Sequence, residues 1–297
     1  MNANLHLLNT KSTIAARDIV DPRKELEDPP AFRLAFSDGD FLLRDETRGV
    51  RFQLELLKAD LILKEHNVNS TIVIFGSARL RSREAATQLL RDAEHQLSLA
   101  PQDSASQLQL KRAQKLLADS CYYEDARIIG QMIGAYEQAA PQDRKVFVCT
   151  GGGPGIMEAA NRGASESGSP NIGLNIVLPH EQKFNPYITP ELCLRFHYFA
   201  TRKMHFMMRA RALIAFPGGF GTLDELFEML TLIQTHKSRP VPVVLYGTSF
   251  WKQLINFEML LDMEMISPED VDLFQFVDSP VEAWNAVRFW YDLPVEG

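Results

Sequence analysis

The sequence predicts an α/β protein built on a doubly wound, Rossmann-like parallel sheet. Short β-branched runs alternate with helical stretches from residue 71 to residue 291, which implies parallel strands joined by right-handed crossovers. The runs are almost continuously apolar, as are strands covered by helices on both faces. Three of them end in glycine turns, at residues 76–79, 151–155 and 217–222. Because ligands of such sheets bind at the carboxyl ends of the strands, these turns predict one shared site.

The composition indicates a globular protein without a nucleic-acid or membrane partner. The 297 residues are 45% hydrophobic and 23% charged, and the net charge of −7 gives no basic surface of the kind that binds DNA or RNA. No apolar stretch approaches the roughly 20 residues that span a bilayer, and the N-terminus shows no secretion signal. Cys121, Cys149 and Cys193 are widely spaced and fit neither a disulfide framework nor a zinc site. We therefore expect reduced thiols, no metal and a cytoplasmic location.

The sequence predicts an N-terminal extension, residues 1–49, and a single Rossmann-like domain, residues 50–297. A helix is expected at 50–66 and a first strand at 71–77. The helical stretch from about 82 to 139 is longer than a crossover needs, and it is broken near 100–104 and 119–120. Part of it is expected to be an inserted helical hairpin that provides packing bulk or an oligomer surface.

The remaining elements continue the alternation. Strands are predicted at 145–150, 171–178, 194–199, 212–216, 240–246 and 274–277, with helices ending near 167 and spanning 201–211, 223–236, 249–264 and 280–291.

The turn at residues 217–222 (PGGFGT) is the strongest candidate site. It follows an apolar run and leads into a helix, whose free amides and dipole form an anion site at the N-terminus. Thr222 is a predicted N-cap, and Glu225 lies three residues later, as in a capping box. Glu225 therefore has two interpretations, one structural and one chemical.

The helical wheel favours the chemical role of Glu225. One polar stripe of this helix carries Asp224, Glu228, Thr231 and Thr235. Glu225 lies off that stripe, on the face of Met229 and Leu232. A carboxylate on an apolar face needs partners or has a raised pKa, and both are commoner at functional sites.

Two further loops and one helix start supply more candidates. Consecutive glycines at 151–155 (GGGPG) suit a close backbone approach to a ligand, but they lack the spacing of a dinucleotide fingerprint and the Walker lysine, and a tight turn is the alternative. Gly76 and Ser77 form a weaker signal. Arg202 begins a helix, from which its fork can reach a phosphate or carboxylate. A solvated basic face is the alternative, preferred for Lys203 and Arg209, and His205 is expected to be a packed or surface histidine.

These motifs resemble those of the LOG family of nucleoside 5′-monophosphate phosphoribohydrolases. Residues 217–225 match its P-G-G-x-G-T-x-x-E motif, Arg202 and Lys203 stand where the family has an arginine–lysine pair, and residues 75–77 and 151–157 look like its other two loops. The resemblance covers roughly residues 70–290, and the length resembles that of the longer bacterial type.

The resemblance implies hydrolysis of the N-glycosidic bond of an AMP-like nucleoside 5′-monophosphate to free base and ribose 5-phosphate. It assigns catalysis to Arg202 and Glu225, and it implies a homo-oligomer and no cofactor. The candidate substrate-binding residues are Gly76, Ser77, Gly152, Gly153, Gly155, Lys203, Gly218, Gly219, Gly221 and Thr222. Which group protonates the leaving base is left open, with Glu158 and Glu181 as candidates for a second acid.

Two other functions are open to such a sequence. One is a non-catalytic nucleotide- or cofactor-binding carrier of the same superfamily, which has no need for the pair Arg202 and Glu225. The other is lysine decarboxylation, a label that such sequences often carry. That reaction needs pyridoxal phosphate on a Schiff-base lysine, and Lys203 stands beside an arginine with no sign of such a site.

Overall fold

The computed structural model describes residues 29–178 and 184–293 and divides the chain into two compact units, Met1–Leu57 and Lys58–Gly297. The first unit contains the 3₁₀ turns Pro30–Phe32 and Asp45–Thr47 and helix α1, Gly39–Leu42. Asp38 caps α1, since its side chain accepts hydrogen bonds from the amides of Asp40 and Phe41. Helix α2, Arg48–Glu65, begins in the first unit and ends in the second. It corresponds to the helix expected at 50–66.

The second unit contains a seven-stranded parallel sheet, and this confirms the predicted doubly wound fold. The strands are β1 (Thr71–Phe75), β2 (Phe147–Thr150), β3 (Ile172–Ile176), β4 (Cys193–Phe196), β5 (Ala210–Ala215), β6 (Val243–Tyr246) and β7 (Gln275–Val277). Their order is β4-β3-β2-β1-β5-β6-β7, so the order reverses at β1. Val73 pairs with Cys149 on one side and with Leu213 on the other. The switch point between β1 and β5 is where such sheets bind ligands.

Helices cover both faces of the sheet. The helices that follow α2 are α3 (Arg83–Leu99), α4 (Ser104–Ala118), α5 (Ser120–Ala139), α6 (Ile156–Glu166), α7 (Phe199–Arg209), α8 (Phe220–Gln234), α9 (Thr248–Leu254), α10 (Phe257–Asp262) and α11 (Pro280–Trp290). Side chains alternate along β1, so that Ile72 and Ile74 belong to the core with α5, α6 and α11. Val73 and Phe75 belong to the core with α2, α7 and α8. Both faces of the strand are therefore buried.

The helical stretch expected over 82–139 consists of three helices. Helices α3 and α4 are joined by residues 100–103, with Asp103 capping α4 through the amide of Ser106. Helix α5 contributes Ile129 and Ile133 to the main core, whereas no residue of α3 or α4 belongs to either core cluster of the described chain. The crossover is thus made by α5, and the hairpin of α3 and α4 packs outside it.

The single helix expected over 249–264 is wrong, because the structure has two short helices there, α9 and α10. Ile255 is extended (φ −126°, ψ 120°) and ends α9. The side chain of Asn256 then caps α10 by accepting a hydrogen bond from the amide of Met259 at 2.9 Å. Among the described residues, no helix is both long enough and apolar enough to cross a membrane. Cys121, Cys149 and Cys193 are free thiols.

Candidate active site

The three glycine turns meet at the carboxyl edge of the sheet, around Ser77. The amide of Ser77 donates a hydrogen bond to the carbonyl of Pro217 (2.9 Å), and the amide of Ile156 donates one to the carbonyl of Ser77 (3.2 Å). These bonds tie the turn after β1 to the turns after β5 and β2. The expectation that the three turns converge is therefore correct.

Close packing explains two of the glycines in these turns. Gly155 has φ +73°, and a Cβ on it would lie 2.3 Å from the carbonyl oxygen of Ser77. A Cβ on Gly76 would lie 2.7 Å from the side chain of Ile156. Either side chain would force the loops apart, so both positions are needed to bring the turns together.

A cavity of about 620 Å³ opens where the turns meet. We call it the carboxyl-edge cavity. It is lined by Phe75, Gly76, Ser77, Ala78, Arg79, Met157, Phe199, Arg202, Gly218, Gly219, Phe220, Gly221, Thr222, Leu223, Asp224, Glu225 and Leu254. Its volume lies in the range of small-molecule sites. Of the predicted site residues, Gly152, Gly153, Gly155 and Lys203 do not line it.

Helix α8 begins at Phe220, so the predicted capping box of Thr222 and Glu225 is wrong. Gly219 is the N-cap in an extended conformation (φ −100°, ψ −153°), and its carbonyl accepts hydrogen bonds from the amides of Thr222 and Leu223. The helical turn therefore starts three residues before the position that Thr222 would cap. No side chain caps α8. Its first turn is formed by residues that line the cavity, which places a helix N-terminus there.

The glycines of this loop differ in what surrounds them. A Cβ on Gly218 would lie 2.1 Å from the hydroxyl oxygen of Thr222. At Gly219 and Gly221, by contrast, a Cβ would have no protein atom within 4 Å. A side chain at either of these two positions would stand in open space. Packing therefore explains Gly218 but leaves Gly219 and Gly221 unexplained.

Glu225 is the buried acid of the cavity. It lies one and a half turns into α8 with 3% of its surface exposed, beside the buried Met229, as the helical wheel predicts. Its Oε2 is buried and has no hydrogen-bond partner among the described residues. Burial raises the pKa of Glu225 to about 7, although the charges of Arg202 and Lys203 lower it. This carboxyl is therefore poised to change its protonation state near neutral pH.

Arg202 is the buried cation of the same cavity. It lies in the first half of α7 with 8% exposure, and its Nε donates a hydrogen bond to the carbonyl of Leu174 at 2.8 Å. Its guanidinium carbon stands 5.2 Å from the centre of the Phe206 ring. A Cβ on Gly151 would lie 2.5 Å from its Nη2, so this glycine makes room for the guanidinium. Burial lowers the pKa of Arg202, and the side chain still stays charged.

Arg202 and Glu225 do not neutralise each other. No ion pair within 4 Å or hydrogen bond joins them in the part of the chain that the structure describes. A buried cation and a buried acid thus line one cavity next to a helix N-terminus. Such preorganised charges can stabilise charge that develops on a bound molecule.

Lys203 and Arg209 do not form the solvated basic face that is the preferred sequence interpretation. Lys203 pairs with Asp224 (2.9 Å) and Glu228 (2.5 Å) and is 19% exposed. Partial burial lowers the pKa of Lys203, but its hydrogen bonds to these two carboxylates outweigh burial and raise it. Arg209 pairs with Asp60 at 2.5 Å. His205 is buried, with its ring 5.5 Å from that of Phe196, as expected for a packed histidine.

The structure describes only one of the two candidates for a second acid. Glu158 accepts a hydrogen bond from the hydroxyl of Tyr123 at 2.8 Å and does not line the cavity. Glu181 lies outside the described residues. Among the described residues, no cluster of three or more His, Cys, Asp or Glu side chains could hold a metal ion.

Sequence reasoning missed Phe199 and Leu254, which line the cavity but carry no motif of their own. Gly151 and Met157 belong to the loop singled out from the sequence but were not among the candidate binding residues. One signal was available for Phe199, because it precedes Arg202 by three residues and so shares its helix face.

A second cavity, of about 710 Å³, lies at the opposite edge of the sheet, and we call it the amino-edge cavity. It opens where β5 and β6 begin and where α7 and α8 end. Its lining includes Met204, Met207, Met208, Arg209, Arg211, Glu228, Leu232, Lys237, Arg239 and Tyr291. Helix C-termini carry partial negative charge, which these cations complement.

Comparison with solved structures gives distant matches. The molybdenum cofactor carrier protein of Chlamydomonas reinhardtii is 18% identical, over 75% of this chain and 99% of that one, with a TM-score of 0.43. A molybdenum cofactor binding protein of Rippkaea orientalis is 17% identical, over 57% of this chain and 88% of that one, with a TM-score of 0.40.

Sequence comparison gives a closer match. A cytokinin riboside 5′-monophosphate phosphoribohydrolase of Arabidopsis thaliana, LOG7, is 28% identical over 144 residues. The match covers 45% of this chain and 65% of the relative, just under two thirds of its length. The model of a family described as "Possible lysine decarboxylase" matches residues 157–287. That segment contains Arg202, the glycine turn at 217–222 and Glu225. By these matches and by its motifs, the chain is similar to proteins of the LOG family over this segment.

Proposed function

We propose that this protein hydrolyses the N-glycosidic bond of a nucleoside 5′-monophosphate, releasing free base and ribose 5-phosphate. The observation that carries the proposal is the pair Arg202 and Glu225, both buried and unpaired with each other, in one cavity with an uncapped helix N-terminus. The relative LOG7 is named for this class of reaction. The reaction needs no cofactor.

The first turn of α8 is the proposed site for the 5′-phosphate. Its amides and the helix dipole favour an anion, and Gly219 and Gly221 leave space beside them. Thr222 is buried in the lining, with its hydroxyl next to Gly218. A phosphate held here fixes the ribose within the cavity that Glu225 also lines.

Glu225 is the proposed catalytic acid–base group. As the bond between C1′ and the base nitrogen breaks, positive charge develops on the sugar, and a carboxylate stabilises it. Water then adds its hydroxyl to C1′, and the departing base keeps the bonding electrons and takes up a proton. Glu225 can accept the proton of the attacking water, since its pKa of about 7 lies near neutral pH.

Arg202 is proposed to act on both the acid and the substrate. Its positive charge opposes the effect of burial and so lowers the pKa of Glu225, which keeps part of the acid ionised. Its Nε is fixed by the carbonyl of Leu174, which orients the rest of the guanidinium. The Nη atoms remain to bind substrate oxygens.

The test is incubation of the purified chain with a panel of nucleoside 5′-monophosphates, with free base and ribose 5-phosphate followed by chromatography. Equal amounts of both products from at least one nucleotide are expected. No release from any nucleotide would overturn the function. Binding without cleavage would instead favour the alternative, a nucleotide- or cofactor-binding carrier.

We also propose that the chain acts as a homo-oligomer in the cytoplasm, as the family resemblance suggests. Light scattering of the purified protein should give a mass at least twice 33.6 kDa. A single-chain mass under assay conditions would contradict this part of the proposal.

A further inference from the structure

We propose that Phe199, Phe220 and Leu254 form an apolar mouth on the carboxyl-edge cavity that binds the flat aromatic base of the substrate. This inference rests on the proposed function and adds to it a binding subsite and the chemical class of the group bound there. It predicts that the base, and not only ribose 5-phosphate, contributes to affinity.

Phe220 is the first indication of such a subsite. It is 91% exposed, more than any other large apolar side chain of the described chain. It occupies the first position of α8, beside the proposed phosphate site, and it lines the cavity. Helix formation does not call for phenylalanine at this position, because aromatic residues are only moderate helix formers. Its ring therefore offers a large apolar surface to a bound molecule.

Phe199 holds the equivalent place on the neighbouring helix. It is the first residue of α7, is 52% exposed and lies one turn before Arg202 on the same face. In the part of the chain that the structure describes, neither the Phe199 ring nor the Phe220 ring contacts another aromatic ring. Both rings therefore have faces available for stacking.

The chemistry of the cavity is divided in a way that fits a nucleotide. The glycine loop with the helix N-terminus provides donors for an anion, and Arg202 and Glu225 provide buried charges. The two phenylalanines and Leu254, which is 46% exposed, provide apolar surface at the mouth. A ligand that matches all three has a phosphate, a polar sugar and a flat apolar base. Aromatic side chains bind every base through its π-face, so this subsite predicts affinity for bases with little discrimination among them.

The experiment compares two ligands in one background. The Glu225→Gln variant is titrated calorimetrically with AMP and with ribose 5-phosphate, which lacks the base, and chromatography checks that AMP stays intact. The same titrations are made after adding Phe199→Ala or Phe220→Ala. Phe289→Ala is the matched control, since Phe289 is 71% exposed and does not line the cavity.

We expect AMP to bind more tightly than ribose 5-phosphate. Removing either cavity phenylalanine should lower the affinity for AMP by roughly 5- to 150-fold, which is the effect of losing one aromatic stacking contact. The affinity for ribose 5-phosphate should fall by less than about 2-fold. Phe220→Tyr should restore the affinity for AMP, because the ring is kept. Phe289→Ala should change neither ligand.

Three results would overturn the subsite. The first is a ratio of the two affinities that both cavity variants leave unchanged. The second is a ratio that falls only with Gln253→Ala, which would put the base in the neighbouring 370 Å³ cavity that Gln253 lines. The third is that Phe220→Ala lowers the oligomer mass measured by light scattering but leaves the ratio of the two affinities unchanged. Phe220 would then be a contact between copies of the chain.

Failure of the subsite and failure of the proposed function give different results. If AMP binds with the predicted ratio but wild-type protein never releases a base, the function is wrong and the subsite stands. If wild-type protein releases base and the two phenylalanine variants keep its KM, the function stands and the subsite is wrong.

Discussion

The two cavities lie at opposite edges of one sheet and share two helices in their linings. Helices α7 and α8 begin at the carboxyl-edge cavity, where they place Arg202 and Glu225, and end at the amino-edge cavity, where they place Arg209 and Glu228. The amino-edge cavity is the larger, at about 710 Å³ against 620 Å³. Volume therefore does not identify the site.

The two cavities differ in how their charges are paired. At the amino edge, Arg209 pairs with Asp60 and Glu228 pairs with Lys203, although Arg209 Nη1 and Glu228 Oε2 have no hydrogen-bond partner among the described residues. At the carboxyl edge, Glu225 forms no ion pair with any described residue, its Oε2 has no hydrogen-bond partner, and no side chain caps α8. A buried acid without an ion pair destabilises a protein, so its presence favours a functional role.

The largest expected effect is the loss of activity on replacing the carboxylate at the carboxyl edge, compared with the same replacement at the amino edge. Glu225→Gln should lower kcat by about 10²- to 10⁴-fold, the usual contribution of a positioned acid–base group. Glu228→Gln, on the same helix, should change kcat by less than about 3-fold, because its ion pair with Lys203 is partly exposed and worth about 1 kcal/mol or less. Steady-state kinetics on the nucleotide that wild-type protein cleaves measures both. Equal losses in the two variants would remove the distinction between the cavities.

Glu225→Gln should also make the folded protein more stable than wild type at high pH, relative to the difference at low pH. Glu225 is harder to ionise in the folded protein, with a pKa of about 7, than in the unfolded chain, where the value is 4.5. As pH rises from 4.5 to 7, ionisation of the unfolded state therefore lowers the stability of the fold. Glutamine escapes this loss, so Glu225→Gln should gain up to about 3 kcal/mol at pH 8 relative to pH 4.5. Urea unfolding at the two pH values measures it. A difference between variant and wild type that does not grow with pH would show that Glu225 is not held in its protonated form.

Local patterns were enough to predict several features of this site. The alternation of strands and helices predicted the parallel sheet, and the positions of the glycine turns predicted their convergence. The buried orientation of Glu225 followed from its angle to the polar stripe of α8. The orientation of Glu225 depends on spacing within one helix, and the other two follow from local strand and turn patterns together with the general rules of parallel α/β sheets.

Features that depend on distant partners were not predictable. Lys203 looked like part of a solvated face, but its partner Asp224 lies 21 residues away, and the partner of Arg209, Asp60, lies 149 residues away. The start of α8 was misplaced because Thr222 and Glu225 have capping-box spacing, whereas the conformation of Gly219 begins the helix earlier. Motif spacing alone does not show which of two competing helix starts the folded chain selects.

Two adjacent glycines at the carboxyl edge separate ligand binding from packing. A Cβ at Gly219 meets no protein atom within 4 Å, and the φ of −100° suits any residue, so Gly219→Ala should change stability by less than about 1 kcal/mol. It should raise KM by about 10-fold if a phosphate occupies that space. Gly218→Ala would place a Cβ 2.1 Å from the Thr222 hydroxyl oxygen, so it should lower the stability of the fold by about 1–3 kcal/mol. Thermal melts and KM measurements test both, and an unchanged KM in Gly219→Ala would place the phosphate elsewhere.

The smallest expected effect lies at the amino edge. Lys237 and Arg239 line that cavity just beyond the C-terminus of α8, where positive charge complements the helix dipole. Replacing each with glutamine should cost about 0.3–1 kcal/mol, less at high salt, because the dipole interaction of an exposed cation is weak and screened. Since neither residue reaches the carboxyl-edge cavity, kcat and KM should stay within about 2-fold. A large loss of activity in these variants would show that the amino-edge cavity takes part in the reaction. The contrast between charges with and without an ion pair would then fail to identify the site.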